Sequence, residues 1–182
     1  SYQTVFRPAL FRLPAATGRD VALGVMGALG RSPIGPALID FLGHMRPPAA
    51  LRVSRLGISF PTPVGLGMGI DTRTTAQMAF ARFGFGFLEV GPVTLEPIFP
   101  AIPVARRAGE ETILLSEPPE NLGVEQVAQR LARDSRHGLP RIVRLSAATQ
   151  ASSQCADEVF GPMFRRLAPL CEVFTVELPS LW

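Results

Sequence analysis

The sequence predicts an α/β protein with a parallel sheet, preceded by a small helical subdomain. Three observations carry that prediction. Apolar runs that end in glycine and polar residues recur at residues 60–71 and 83–94, the pattern of buried parallel strands that run into ligand-facing loops. Segments of helical period follow them, with apolar residues at Val124, Val127, Ala128 and Leu131 in the clearest case. The first fifty residues share neither feature and are broken by Pro14, Pro33, Pro47 and Pro48.

In chain order, residues 7–13, 21–29 and 34–45 place apolar side chains on helix-like faces, so residues 1–50 read as two or three short helices. Their apolar face suits packing on the following domain, or contact with a membrane surface or hydrophobic ligand. Residues 51–60 alternate apolar with polar as a short hairpin does. Residues 64–70 then read as a strand, 74–83 as a helix and 87–93 as a second strand. A proline-rich loop covers 95–103, and 112–115 is short and extended. Residues 124–136 form a helix, 141–145 a strand, 157–170 a helix and 173–178 a fourth strand. Four strands alternating with helices predict right-handed crossovers and one half of an eight-stranded TIM-type β/α barrel, over residues 51–182. A half barrel leaves open strand edges. The chain is therefore expected to be a fragment, to fold as an open sheet, or to lean on a partner.

Composition narrows the chemistry. Eighteen basic residues stand against fifteen acidic ones, a balance too small to argue for nucleic acid, and all eighteen are arginine. No Schiff base, P-loop lysine or lysine clamp on a phosphate can be built. A 47% hydrophobic content excludes disorder. Cys155 and Cys171 form no CxxC pair and have no histidine at ligand spacing, so reduced thiols are expected and no metal site. His44 and His137 read as structural or solvent-exposed. No charged leader with a cleavage site is visible, so export is not expected.

Three stretches carry a resemblance. The opening YQTVFRPALFRL, the segment LRVSRLGISFPTPVGLGMGID and the run FGFGFLEVGPVT resemble the dihydroorotate dehydrogenases of the membrane-associated, quinone-linked class. That family usually has FPNPVGLAAGFDK and GFGFVEVGTVT at the latter two. The match covers essentially the whole chain and the N-terminal half of the family. It implies a TIM barrel with FMN at the C-terminal ends of the strands, oxidation of dihydroorotate to orotate, and a quinone entering between membrane-seated N-terminal helices. On that basis the membrane-facing reading of residues 1–50 is preferred.

By family position, Gly67, Met68, Gly69, Thr72 and Gly91 are the cofactor-binding candidates, Asn121 the substrate-binding candidate and Ser180 the counterpart of the general base. The departures are many. Met68 replaces an alanine and Thr72 a lysine, while Pro92 removes a backbone N–H. The amide-rich substrate loop has become LSEPPEN (115–121), keeping Asn121 and adding Glu117 and Glu120, which would repel a carboxylate. RLSAAT (144–149) lacks the family's asparagine and lysine, and Glu177 and Pro179 flank a Ser180 without polarising neighbours. Arg106 and Arg107 could grip an anion or form a solvated pair, and Trp182 could anchor a docked partner.

The expected function is that of a dihydroorotate dehydrogenase-like protein that has lost catalysis. It would bind no cofactor and serve as a structural or interaction subunit, docked through residues 1–50 and the open sheet edge on a membrane or membrane-protein complex. The alternative is the N-terminal half of an FMN-dependent enzyme using a quinone. Either would sit peripherally on the cytoplasmic face of a membrane or its organelle equivalent.

Overall fold

The computed structural model describes residues 11–43, 45–134, 137–147 and 156–177. His44, Cys155, Ser180, Trp182 and most of the helix expected at 7–13 lie outside them. Helix α1 (Ala15–Arg31) starts after Pro14, and α2 (Gly35–Gly43) follows it at an angle of 113°. Ser32 makes that corner. Its hydroxyl donates to the Leu29 carbonyl (3.0 Å) and accepts the Gly35 N–H (2.8 Å), satisfying groups that both helix ends leave open. No single helix among the described residues is long and apolar enough to cross a membrane.

Strands β1 (Val53–Arg55) and β2 (Ile58–Phe60) form the expected antiparallel hairpin. Its two turn residues, Leu56 and Gly57, both have positive φ (52° and 75°), as a tight two-residue turn requires. The strand expected at 64–70 is reduced to one parallel bridge between Leu66 and Leu88. Gly65, Gly67 and Gly69 alternate there, and Gly69 turns to φ 94°, so the ladder stops after Leu66. The following helix is also shorter than expected, contracting to α3 (Gln77–Phe80). Asp71 explains the contraction, because its carboxylate takes the N–H groups of Thr75 (2.7 Å) and Ala76 (2.8 Å) while Thr74 adopts φ 50°.

Strands β3 (Leu88–Val93), β6 (Arg141–Ser146) and β7 (Val173–Glu177) form a parallel sheet in that order. With the Leu66 bridge on the outer side of β3, four consecutive strand positions lie side by side in sequence order, as in the first half of a barrel. The expected loop at 95–103 leads into a further strand for which the sequence carries no signal. This strand, β4 (Val104–Arg107), pairs antiparallel with β5 (Thr112–Leu115) as a hairpin above the sheet. Helices α4 (Gly123–Arg133) and α5 (Ala156–Leu167) cover one face.

Alternation along the strands divides the side chains. Val90, Val143 and Leu145 point towards α4 and α5 and join Val127, Leu131, Met163 and Leu167 in the main core. Their neighbours Glu89, Ile142, Arg144 and Ser146 lie on the opposite face, which no described helix covers. A second cluster of Leu23, Ala76, Phe80 and Leu88 seats α1 on the barrel wall. The seat is tight. A Cβ on Gly27 would stand 2.3 Å from the Thr75 carbonyl oxygen, and one on Gly30 2.7 Å from the Ala79 nitrogen.

Candidate functional site

The C-terminal ends of the parallel strands bring most of the candidate residues into one region. Gly67, Met68 and Gly69 form the loop after the first strand position. The Met68 N–H points across to the second strand and donates to Glu89 Oε2 at 3.2 Å. Glu89 Oε1 accepts Arg144 Nε of β6 at 2.9 Å and the Thr175 hydroxyl of β7 at 3.5 Å. One carboxylate on the open face thus ties together all four strand positions. Arg144, standing where the resembled family has asparagine, supplies the charge that keeps it there. The pair is only partly exposed, 12% at Glu89 and 33% at Arg144, so its attraction is less screened than on a free surface.

Gly91 lies deeper, at φ 137°. A Cβ there would approach the Arg144 carbonyl oxygen to 2.7 Å, and the register of β3 against β6 shifts across Gly91 and Pro92. The glycine is needed for close packing of β3 on β6. Asn121 is 1% exposed. Its Oδ1 accepts the Gly123 N–H (2.9 Å) at the start of α4 and the Thr94 hydroxyl (2.7 Å), and its backbone bridges Ile98. This amide fastens the loops after β3 to α4.

Thr72 leads to an ion cluster that local sequence patterns do not reveal. Its hydroxyl donates to Glu120 Oε2 at 3.4 Å. Glu120 is 3% exposed and also receives Arg19 Nη2 (2.6 Å), Arg73 Nε (3.1 Å) and Arg73 Nη2. Asp20 bridges the same two guanidinium groups, at 3.0 Å from Arg19 Nη2 and 3.2 Å from Arg73 Nη1. Burial alone would raise the Glu120 pKa, but hydrogen bonds from Arg73 and Arg19 outweigh it and hold the carboxyl below its usual range. Burial would likewise lower Arg19, yet its bonds to Glu120 and Asp20 raise it. The expectation that Glu120 projects a repelling charge at a substrate is corrected here: the charge is buried and neutralised within the protein.

Between α1 and the β4–β5 hairpin lies a cavity of about 590 Å³, walled by Phe11, Met68, Ile70, Val104, Ile113 and Leu115 among others. Arg106 anchors its rim. Its Nη2 donates to the carbonyl oxygens of Phe11 (3.2 Å) and Leu13 (3.0 Å), with the guanidinium 4.1 Å over the Phe11 ring. Arg107 faces Glu110 at 3.3 Å on the exposed side. The sequence signalled this cavity only indirectly, through the apolar residues of 112–115 beside an apolar helix face. Among the described residues no group of histidine, cysteine, aspartate and glutamate could hold a metal ion.

No family model matches the chain. Individual relatives do. A dihydroorotate dehydrogenase (quinone) of Pseudomonas fluorescens (strain Pf0-1) is 36% identical over 138 residues, covering 75% of this chain and 39% of the relative. A protein of the same name from Novosphingobium aromaticivorans is 31% identical over 185 residues, covering 97% of this chain and 49% of the relative. Among solved structures, a ligand-free dihydroorotate dehydrogenase of Eimeria tenella superposes with a TM-score of 0.61 at 23% identity, over 81% of this chain and 46% of that one. The same enzyme in complex with ferulenol gives 0.60. These superpositions show the fold, an open partial α/β barrel with N-terminal helices. The chain spans less than half the length of the relatives it matches, as the N-terminal half of such a barrel would. It is a partial-length relative of the quinone-linked dihydroorotate dehydrogenases.

Proposed function

We propose that this chain keeps the dehydrogenase scaffold without its redox chemistry and serves as a docking subunit on a membrane or membrane-protein complex. One observation carries the reading. At the strand ends, where the resemblance puts FMN and dihydroorotate, the Met68 N–H is held by Glu89, the Thr72 hydroxyl by Glu120 and the Asn121 Nδ2 by the Pro119 carbonyl oxygen. The flavin needs donors free to turn towards it. The residues that this chain contributes do not fit FMN.

The surface supports docking. On α1, Val21 and Val25 face outward, and on α2 and just before it Ile34, Leu38, Phe41 and Leu42 do, Phe41 being 82% exposed. Their i, i+4 and i+7 spacing makes one apolar stripe per helix. Apolar area of this kind left in water is costly, and an interfacial surface would cover it.

A second reading is favoured by the half-length match and by the 590 Å³ apolar cavity beside α1. It makes the chain the N-terminal part of an FMN-dependent enzyme that oxidises dihydroorotate with a quinone. Purification separates the two. A colourless protein that shows no dihydroorotate-dependent reduction of a quinone analogue, but floats with anionic phospholipid vesicles, supports the docking subunit. Visible flavin absorbance near one equivalent per chain overturns it in favour of the enzyme.

A further inference from the structure

A second cavity, of about 220 Å³, lies where α1, the loop before α3 and α4 meet. Arg19 and Asp20 of α1, Thr72, Arg73 and Thr75 of the loop, and Arg130 of α4 line it. Three guanidinium groups therefore face one small space. Two carboxylates are present to balance them, and both are fully engaged. Asp20 receives Arg19 and Arg73, and Glu120 behind the wall receives Arg19, Arg73 and Thr72. Among the described residues no carboxylate is within hydrogen-bond or ion-pair distance of Arg130, Asp71 acting on it only from further away. The Arg130 Nη1 donates to the Arg73 carbonyl oxygen (2.6 Å) and the Thr75 hydroxyl (3.5 Å), and among the described residues Nε and Nη2 meet no acceptor. Arg19 adds another unused donor, because its Nη1 is buried and meets no acceptor.

The local field has a sign. Arg130 is held below its usual pKa by burial first and then by Arg133, Arg73 and Arg31, with Asp71 opposing. The cation thus sits in a net positive surrounding, and a partly buried cation beside the buried spare donor of Arg19 is stabilised by an anion. Size fixes the class of anion. At 220 Å³ the space falls below the roughly 300 Å³ at which organic-ligand pockets begin. We propose that this cavity binds a small free oxyanion of the phosphate type, gripped by Arg130 with Arg19 and Thr75 beside it, which fastens the helical subdomain to the barrel wall. The site adjoins the apolar cavity, with which it shares Arg19, and lies apart from Glu89 and Arg144 on the open face of the sheet.

The test is titration calorimetry of the purified chain with inorganic phosphate, against sodium chloride of equal ionic strength. Saturable binding of one phosphate per chain, together with a rise in melting temperature that chloride does not reproduce, is the expected result. Arg130→Gln should weaken phosphate at least tenfold, Arg130→Lys by a smaller factor, and Arg166→Gln, in the exposed pair with Glu125, not at all. Absence of saturable binding to the unaltered chain overturns the proposal by itself. So does a loss of less than threefold in Arg130→Gln, with circular dichroism confirming that the variant is folded.

Discussion

Replacing Glu120 by glutamine tests whether the helical subdomain is held to the barrel by charge. The side chain is 3% exposed and stands between Arg19, 13% exposed, and Arg73, 36% exposed. Glutamine keeps the volume and one acceptor oxygen, so packing is preserved while the charge is lost. Removing one partner of a buried ion pair costs about 3–5 kcal/mol, because the other is left uncompensated. Arg73 is partly solvated and Asp20 still bridges both arginines, so the lower end, about 3 kcal/mol, applies here. For a chain of this length each kcal/mol moves the melting temperature by about 2–4 °C, giving an expected fall of about 6–12 °C at pH 7. The pH dependence provides the control. Because the folded carboxyl is held below its ordinary 4.5, its contribution is complete above that value and is lost as pH falls through the folded pKa. The gap between wild type and Glu120→Gln should therefore close in acid, as followed by thermal denaturation from pH 7 to pH 3. A fall of less than about 2 °C at pH 7, or a gap that persists after the carboxyl protonates, would refute the reasoning.

Two further outcomes are expected. Gly24 and Gly27 both lie in α1, but a Cβ on Gly24 meets nothing within 4 Å while one on Gly27 meets the Thr75 carbonyl oxygen at 2.3 Å. Gly24→Ala should stabilise by about 1 kcal/mol through helix propensity, and Gly27→Ala should destabilise by about 1–2 kcal/mol because overpacking exceeds that gain. Urea midpoints moving in the same direction for both would contradict the described seat of α1. His137 supplies a second pH window: burial, with help from Arg141, pushes it down to about 4. The unfolded chain then binds the extra proton between pH 6.5 and about 4, so stability should fall by on the order of 2 kcal/mol on acidification through that range. His137→Gln should flatten urea midpoints over that window.

How much of the fold could be read from the sequence depended on the range of the forces involved. The strands at 87–93, 141–145 and 173–178 were legible as short apolar runs and the helices after 123 and 156 by their apolar face, both of them local signals. Where the expectations failed, a side chain or a dihedral angle had overridden such signals. Asp71 consumed the N–H groups that would have begun a longer α3, and Gly69 turned the first strand away from the ladder. Strand β4 was hidden among prolines, because it pairs with a neighbouring hairpin arm and carries no strong alternation of its own.

The site divides along the same line. The glycines of GLGMG and the glycine-proline step of the second strand identified the scaffold, since close backbone approach leaves glycine little alternative. By itself the sequence determined the parallel-strand order, the ancestry and the loss of every lysine. Only the tertiary structure decided that Glu120 is a buried counter-ion to Arg19, 101 residues away, and that Arg144 reaches back 55 residues to Glu89. A charge pair has no period along the chain. Whether a carboxylate repels a ligand or neutralises a neighbour depends on which distant guanidinium the fold sets within about 3 Å of it, and on how much water remains between them.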